Sequence, residues 1–374
     1  MNKFHLIINT LPLIGTKTGI GRYLYEITKR IKDETIYDKT FFCGFYSKKL
    51  INSEENESKL SYLKEVIAEF SFLKTFVRNL LFKFSSLSFN KFDLYWEANF
   101  IPIKNIKSKK TVTSVHDFSF ILHKEFHPKE RVKYFENFFY TNILRSNKII
   151  CFSFFTKQEI LSMLDFTEED VHVIYHGIEH NLFKIQNNLN VDFYLPKKFI
   201  FSVGSIEPRK NLLGLLEAYD LLEDNFKMEY KLVLAGFKGW ENKEIMTLIE
   251  KNKENIHYLG FISDIELVKV YNLATCFVFP SFYEGFGLPV LESMACGTPV
   301  ICSNTSSLPE VGGDVVVYCN PYDVYDIKNK IEIVLNDENL QKEMIKNGLE
   351  RAKLFSWEKS AEEHMKVFEE VLKN

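Results

Sequence analysis

CFVFPSFYEGFGLPVLESMACGTPVICS, residues 276–303, reads as one strand, loop, helix and second strand in succession. Its apolar start ends at Pro280, and Pro289 then suits the first turn of a helix, where a missing N–H leaves no bond unmade. Between the two prolines, Gly285 and Gly287 remove side chains where a helix amino end presents its free N–H groups. An apolar run, VIC, resumes at 300–302. Such a unit belongs to a parallel sheet covered by helices.

The same rhythm runs outward in both directions. Strands are expected near 4–9, 41–46, 92–96, 111–115, 148–153 and 171–175, and again near 198–203, 230–235, 256–260, 276–280 and 298–302. Helical spacing fills the gaps, as with Leu212, Leu213, Leu216 and Tyr219. KIQNNLNVDFYLPKK, 184–198, breaks the pattern with polar residues and a proline, and reads as a linker. The expected architecture is α/β, with two Rossmann-like doubly wound domains, 1–187 and 188–356, facing across a cleft; a closing helix at 357–374 packs back on the first. Ligands of such sheets lie beyond the carboxyl ends of the strands, so the chemistry is sought in the strand-to-helix loops.

Length and composition agree with this layout. A chain of 374 residues, 46% hydrophobic and 26% charged, has room for two domains and excludes a disordered or fibrous protein. A formal net charge of -3 provides no global basic field to recruit nucleic acid. Cys43, Cys151, Cys276, Cys296, Cys302 and Cys319 lack C-x-x-C spacing and suit a reducing cytoplasm. The opening MNKFHLIINT does not read as a secretory signal, and no apolar run reaches the roughly 18 to 20 residues that span a bilayer.

Four loops carry candidate residues. Glu284 lies between Pro280 and the helix, and Glu292 about one turn inside it, so both can point into one cleft. Ionised carboxylates accept hydrogen bonds from sugar hydroxyls and repel a bare polyanion. In FIFSVGSIEPRKNLLGLLEAY, 199–219, Gly204 turns the chain and Arg209 and Lys210 precede a leucine-rich helix. Cations at a helix amino end are disfavoured by the macrodipole, so a negative group is expected beside them, and a diphosphate would serve. In TKTGIGRYLYEI, Gly19 and Gly21 precede a helix without completing a dinucleotide or P-loop motif; they form either a phosphate-approach loop or an ordinary turn. His116 and Asp117 follow the strand at 111–115, and His116 is either a core histidine or an imidazole that touches a sugar. No G-x-S-x-G elbow and no D-x-D occurs, and no metal is expected.

These residues resemble the retaining glycosyltransferases of the GT-B class, family 4. The resemblance rests on Glu284 and Glu292 within FPSFYEGFGLPVLESMACGTPVI, and extends to VGSIEPRKNL, YHGIEHNLF, LGFISDIEL and FSWEKSA. It implies that Glu292 binds the nucleotide ribose and Glu284 the hydroxyls of the transferred sugar. Backbone groups of Gly285, Phe286, Gly287 and Leu288 complete that site, with Gly204 at the facing turn. Arg209 and Lys210 neutralise the leaving diphosphate without a metal or other cofactor. Gly19 and Gly21 approach it from the other domain, His116 meets the sugar near its reacting carbon, and Gly260 and Phe261 border the base.

HDFSFILHKEFHPKERVKYFENFFY and SNKIICFSFFTKQEI are similar to mannosyltransferases that build bacterial surface polysaccharides. The implied donor is a nucleotide-diphosphate sugar, GDP-mannose first and a UDP-sugar second, and the acceptor a glycan or lipid-linked oligosaccharide. Residues 70–92 hold Lys74, Arg78, Lys83 and Lys91 with no acid; they read either as a basic amphipathic helix on an anionic membrane or as a core helix. The enzyme would then be cytoplasmic, peripheral to the inner face of the membrane. Two other classes share the architecture: a non-catalytic sugar-nucleotide-binding subunit and a sugar-nucleotide epimerase. An acceptor-dependent product separates them from a transferase.

Overall fold

A computed structural model describes residues 3–14, 19–31, 36–50, 92–187, 189–240 and 242–373. Its strands form two sheets. The first contains β1 (Phe4–Asn9), β2 (Tyr37–Phe42), β3 (Tyr46–Ser47), β4 (Phe92–Glu97), β5 (Ser108–Val115), β6 (Lys148–Cys151) and β7 (Val171–Val173), in the order β3-β2-β1-β4-β5-β6-β7. All its pairings are parallel except the hairpin of β2 with β3. The second contains β8 (Phe199–Val203), β9 (Lys231–Ala235), β10 (Ile256–Tyr258), β11 (Cys276–Phe279), β12 (Val300–Ser303) and β13 (Val317–Cys319), all parallel, in the order β10-β9-β8-β11-β12-β13. Each order reverses direction once, between β1 and β4 and between β8 and β11, which is where doubly wound sheets hold ligands.

Three expectations are corrected. The strand anticipated at 41–46 begins at Tyr37 and ends at Phe42, and Tyr46 falls in the separate antiparallel β3; Asp38 and Lys39 disguised its first half because β2 lies near the sheet edge and leaves both partly exposed. β13 was not anticipated, being a three-residue edge strand too short for a periodic signal. Gly19 and Gly21 do not form a loop ahead of a helix but stand in the first turn of the helix Gly19–Arg30, whose inner face buries Tyr23, Leu24 and Ile27. Of the basic stretch at 70–92, all but Phe92, which opens β4, lies outside the described residues. No described helix is long and apolar enough to cross a membrane.

The two sheets share one apolar cluster that runs from Leu6 and Trp96 through Phe152, Phe286 and Trp357 to Phe277. Glu310 of the second half accepts the N–H groups of Phe154 and Phe155 at 2.7 Å each, capping the helix Phe154–Met163 of the first. After the second sheet the chain returns, and the helix Trp357–Lys373 packs on the helix Gly19–Arg30 and the first sheet. A directed chain of hydrogen bonds fixes it there. Trp96 Nε1 donates to Ser114 Oγ at 3.0 Å, Ser114 meets the Tyr23 hydroxyl at 2.8 Å, and Tyr23 meets His364 Nε2 at 2.7 Å.

Candidate functional site

At the carboxyl end of β8 the chain makes one 3₁₀ turn, Pro208–Lys210, before the helix Leu212–Asp220. Asn211 separates them with a φ of 53°, and its side-chain amide donates to the Pro280 and Pro321 carbonyls at 3.1 and 2.7 Å. Asparagine tolerates this left-handed conformation better than most residues, and here its amide also ties the turn to the loop after β11. Phe282 N–H completes the tie by donating to the Arg209 carbonyl at 3.0 Å. The two loops therefore form one rigid unit at the switch point.

Glu284 sits between the two cations of that unit. Lys210 Nζ lies 2.6 Å from Oε1 and Arg209 Nη1 lies 2.9 Å from Oε2. Burial alone would raise the Glu284 carboxyl, but Arg209 and Lys210 together hold it down at about 2. Arg209 also donates to the Tyr283 carbonyl at 2.8 Å and pairs with Glu207 at 3.1 Å, while Lys210 lies 5.0 Å over the Phe279 ring. The negative group expected beside the basic pair is thus present in the chain itself. A diphosphate entering here would meet two cations already balanced by Glu284 and Glu207.

Glu292 has a different set of partners. It pairs with Arg22, which reaches across from the helix Gly19–Arg30 and also binds Asp264 at 2.6 Å; Tyr271 donates to Glu292 Oε2 at 3.2 Å. Burial pushes the Glu292 carboxyl upward and Arg22 pulls it back. Arg22, Asp264 and Glu292 line a small cavity of about 70 Å³ between the two halves. Glu284 and Glu292 therefore flank the same loop and helix but hold separate cations, Glu284 the pair Arg209 and Lys210 of the second half and Glu292 the Arg22 of the first. The sequence reading missed Arg22, although it follows Gly21 directly in GIGRY and is the only cation in that helix's first turn and a half.

The glycines between the two acids meet the first half directly. A Cβ on Gly285 would stand 1.8 Å from the His116 carbonyl oxygen, and Gly287 needs its φ of 112° to start the helix Leu288–Ala295. Among the described residues, the N–H groups of Gly285, Phe286 and Gly287 make no hydrogen bond. Gly19 approaches the same loop, its Cβ position lying 3.7 Å from a Leu288 methyl. Tyr283, also missed, pins the loop from the other side: its hydroxyl donates to Glu159 at 2.6 Å and accepts the Phe118 N–H at 3.0 Å. Burial pushes Glu159 up to about 7.

The remaining sequence candidates are spread around this centre. Gly204 lies beside the Lys210 stem, and Gly236, which the sequence reading passed over, approaches it so closely that a Cβ there would be 1.9 Å from the Gly204 carbonyl. Gly260, with φ of 71°, faces open space, and Phe261 beside it is exposed. The His116 ring is buried, donates from Nε2 to the Ala98 carbonyl at 2.8 Å, and stacks on Phe152 at 4.7 Å. Among the described residues no group of three or more His, Cys, Asp or Glu could hold a metal ion.

His116 and His364 carry a pH dependence. Burial pushes each imidazole down to about 4, so the folded protein binds fewer protons than the unfolded chain between pH 6.5 and 4. Stability from these groups is full above pH 6.5 and is lost as pH falls toward 4, by on the order of 3 kcal/mol for each. Burial raises the Glu97 and Glu159 carboxyls to about 8 and 7, which acts with the opposite sign. The check therefore compares thermal unfolding of the unaltered protein with that of His364→Gln across pH 7.5 to 4; the same pH dependence in both would contradict a neutral, buried His364.

The family pattern described as "Glycosyl transferases group 1" matches residues 187–351, and "Glycosyltransferase Family 4" matches 17–182. The O-antigen chain mannosyltransferase B of Escherichia coli is 33% identical, over 94% of this chain and 96% of that one. The serotype-specific mannosyltransferase WbdA of Escherichia coli is 35% identical over 73% of this chain, which spans only 35% of WbdA. Among solved structures, the sucrose-phosphate synthase of Thermosynechococcus elongatus superposes with a TM-score of 0.71 at 17% identity, covering 99% of this chain and 100% of that one. WaaG, a glycosyltransferase involved in lipopolysaccharide biosynthesis, gives 0.67 at 13% identity, over 97% and 99% of the two chains. At such identities the structural likeness speaks for the fold, two Rossmann-like domains of the GT-B kind.

Proposed function

Because the chain belongs to the group 1, family 4 glycosyltransferases, we propose that it transfers a hexose, mannose first, from a nucleotide-diphosphate donor to a glycan or lipid-linked acceptor with retention of configuration. The product would be a surface polysaccharide of the O-antigen or capsule type, made at the cytoplasmic face of the membrane. The observation that carries the reading is Glu284 held between Arg209 and Lys210 where β8 and β11 end.

The geometry supports a definite division of labour. Sugar hydroxyls donate to the ionised Glu284, which releases part of its hold on Lys210, and the two cations turn to the diphosphate. The bond from the anomeric carbon to the phosphate oxygen breaks as charge builds on that oxygen beside Arg209 and Lys210. The acceptor oxygen bonds the same face of the carbon, and its proton passes to the leaving phosphate. Glu292, once Arg22 yields, accepts from the ribose hydroxyls. The N–H groups at 285–287, without a hydrogen bond among the described residues, lie at the amino end of the following helix, where an anion or a sugar oxygen can accept from them.

Incubation with GDP-mannose and a panel of UDP-sugars, with and without lipid-linked oligosaccharides, followed by mass analysis, tests the proposal. The expected product is an acceptor heavier by one hexose, formed fastest from GDP-mannose and with the donor's anomeric configuration kept. Equal use of all donors removes the mannose assignment. Conversion of a donor without acceptor into its epimer, or no product at all, removes the transfer assignment.

A further inference from the structure

The loop that carries Glu284 also has an outward side. Phe282, two residues earlier, stacks on Phe126 of the first half, with centroids 5.4 Å apart and planes 10° apart, and on Tyr322, at 5.0 Å and 29°. Near-parallel rings at these separations are slipped, so part of each face remains uncovered. Tyr322 ends the row and is 67% exposed. The three rings line a groove of about 560 Å³, and the carboxylates of Glu217 and Glu244 line it with them, exposed and without a salt-bridge partner among the described residues. Pro208 and Asn211, also in its wall, flank Arg209 and Lys210, so the groove shares its wall with the cationic centre.

This combination selects one chemistry. Aromatic faces open to water favour a ligand with a flat apolar side, and unpaired carboxylates favour one rich in hydroxyl donors while repelling phosphate and anionic lipid. Uncharged hexose units offer both, with C–H groups on one face and hydroxyls around the rim. We propose that the groove between Phe126, Phe282 and Tyr322 is a subsite for an uncharged glycan chain, holding acceptor sugars beyond the one being extended. The inference rests on the glycan-acceptor reading above and deepens it.

The test uses the full chain and manno-, gluco- and galacto-oligosaccharides of two to six units. Binding is followed by saturation-transfer NMR, KM by transfer, and basal activity by donor hydrolysis without acceptor. In the unaltered protein, affinity and KM are expected to improve with chain length. Tyr322→Ala is expected to raise KM for the longest oligosaccharide by roughly 5- to 10-fold. KM for the disaccharide and donor hydrolysis stay unchanged, and Glu217→Gln with Glu244→Gln weakens the same long-chain binding. A chain-length dependence identical in Tyr322→Ala and the unaltered protein overturns the subsite, as does absence of binding for every oligosaccharide. Concentration-dependent self-association lost in Tyr322→Ala overturns it in favour of a second copy of the chain. Donor hydrolysis reads the transferase assignment separately from NMR binding, so the two failures are distinguishable.

Discussion

Lys210→Ala is expected to lower turnover roughly 100- to 1,000-fold while leaving the protein folded, because one preorganised donor to the developing phosphate charge is lost. The fold should survive because little else depends on that ammonium. It pairs with Glu284 at 2.6 Å, but Glu284 keeps Arg209 at 2.9 Å, so no buried carboxylate is left uncompensated. The turn itself is held by the Asn211 amide and by Phe282 N–H, neither of which involves the lysine side chain. Donor hydrolysis and transfer measured beside thermal unfolding separate the two effects. Lys210→Arg restores charge with a different shape and should recover only part of the rate, since a planar fork does not replace a point charge at a fixed site. Near-normal transfer by Lys210→Ala would remove the lysine from the reaction.

Much of this centre was legible in the sequence because strand-to-helix loops announce themselves. An apolar run ended by Pro280 and resumed after Pro289 locates the loop, and both acids fall within reach of it. The β-α rhythm likewise places the strands of both sheets to within a few residues, apart from β3, β13 and the start of β2. What spacing did not convey is which charges meet. Arg22 lies 270 positions from Glu292 and 242 from Asp264, and no periodicity links a first-turn arginine to acids in the other half. Tyr283 with Glu159, and Glu310 with the amino end of Phe154–Met163, are invisible for the same reason. The basic pair was correctly seen to need a negative partner, yet the macrodipole argument cannot say whether that partner is a ligand or a side chain. His116 shows the limit differently: a histidine after a strand can present its ring or its backbone, and here the carbonyl makes the contact between the halves while the ring lies in an aromatic stack.

That carbonyl contact makes Gly285→Ala the substitution with the most far-reaching expected consequence. The added Cβ would stand 1.8 Å from the His116 oxygen, 2.8 Å from its carbonyl carbon and 3.0 Å from the Asp117 Cβ, and two of these three neighbours are backbone atoms that no rotamer change can move. Neither side yields easily. His116 follows directly on β5, and the loop is held by Glu284 N–H on Ser306 Oγ at 2.9 Å and by Ser307 Oγ on the Glu284 and Phe286 carbonyls at 2.8 and 3.0 Å. The two halves must therefore move apart by an ångström or more at the point where the sugar site closes. A displacement of that size at reacting groups costs on the order of 100-fold in rate, and the loss of Arg22 from Glu292 as the halves separate should add to it. Gly287→Ala makes an instructive comparison: its strain, from a φ of 112° and a Leu308 methyl at 2.6 Å, stays within the second half. Gly287→Ala should thus lower thermal stability with the halves still closed, whereas Gly285→Ala should enlarge the radius of gyration in X-ray scattering and weaken donor affinity together with turnover. An unchanged radius and full activity in Gly285→Ala would mean that the working enzyme does not close on His116 at all.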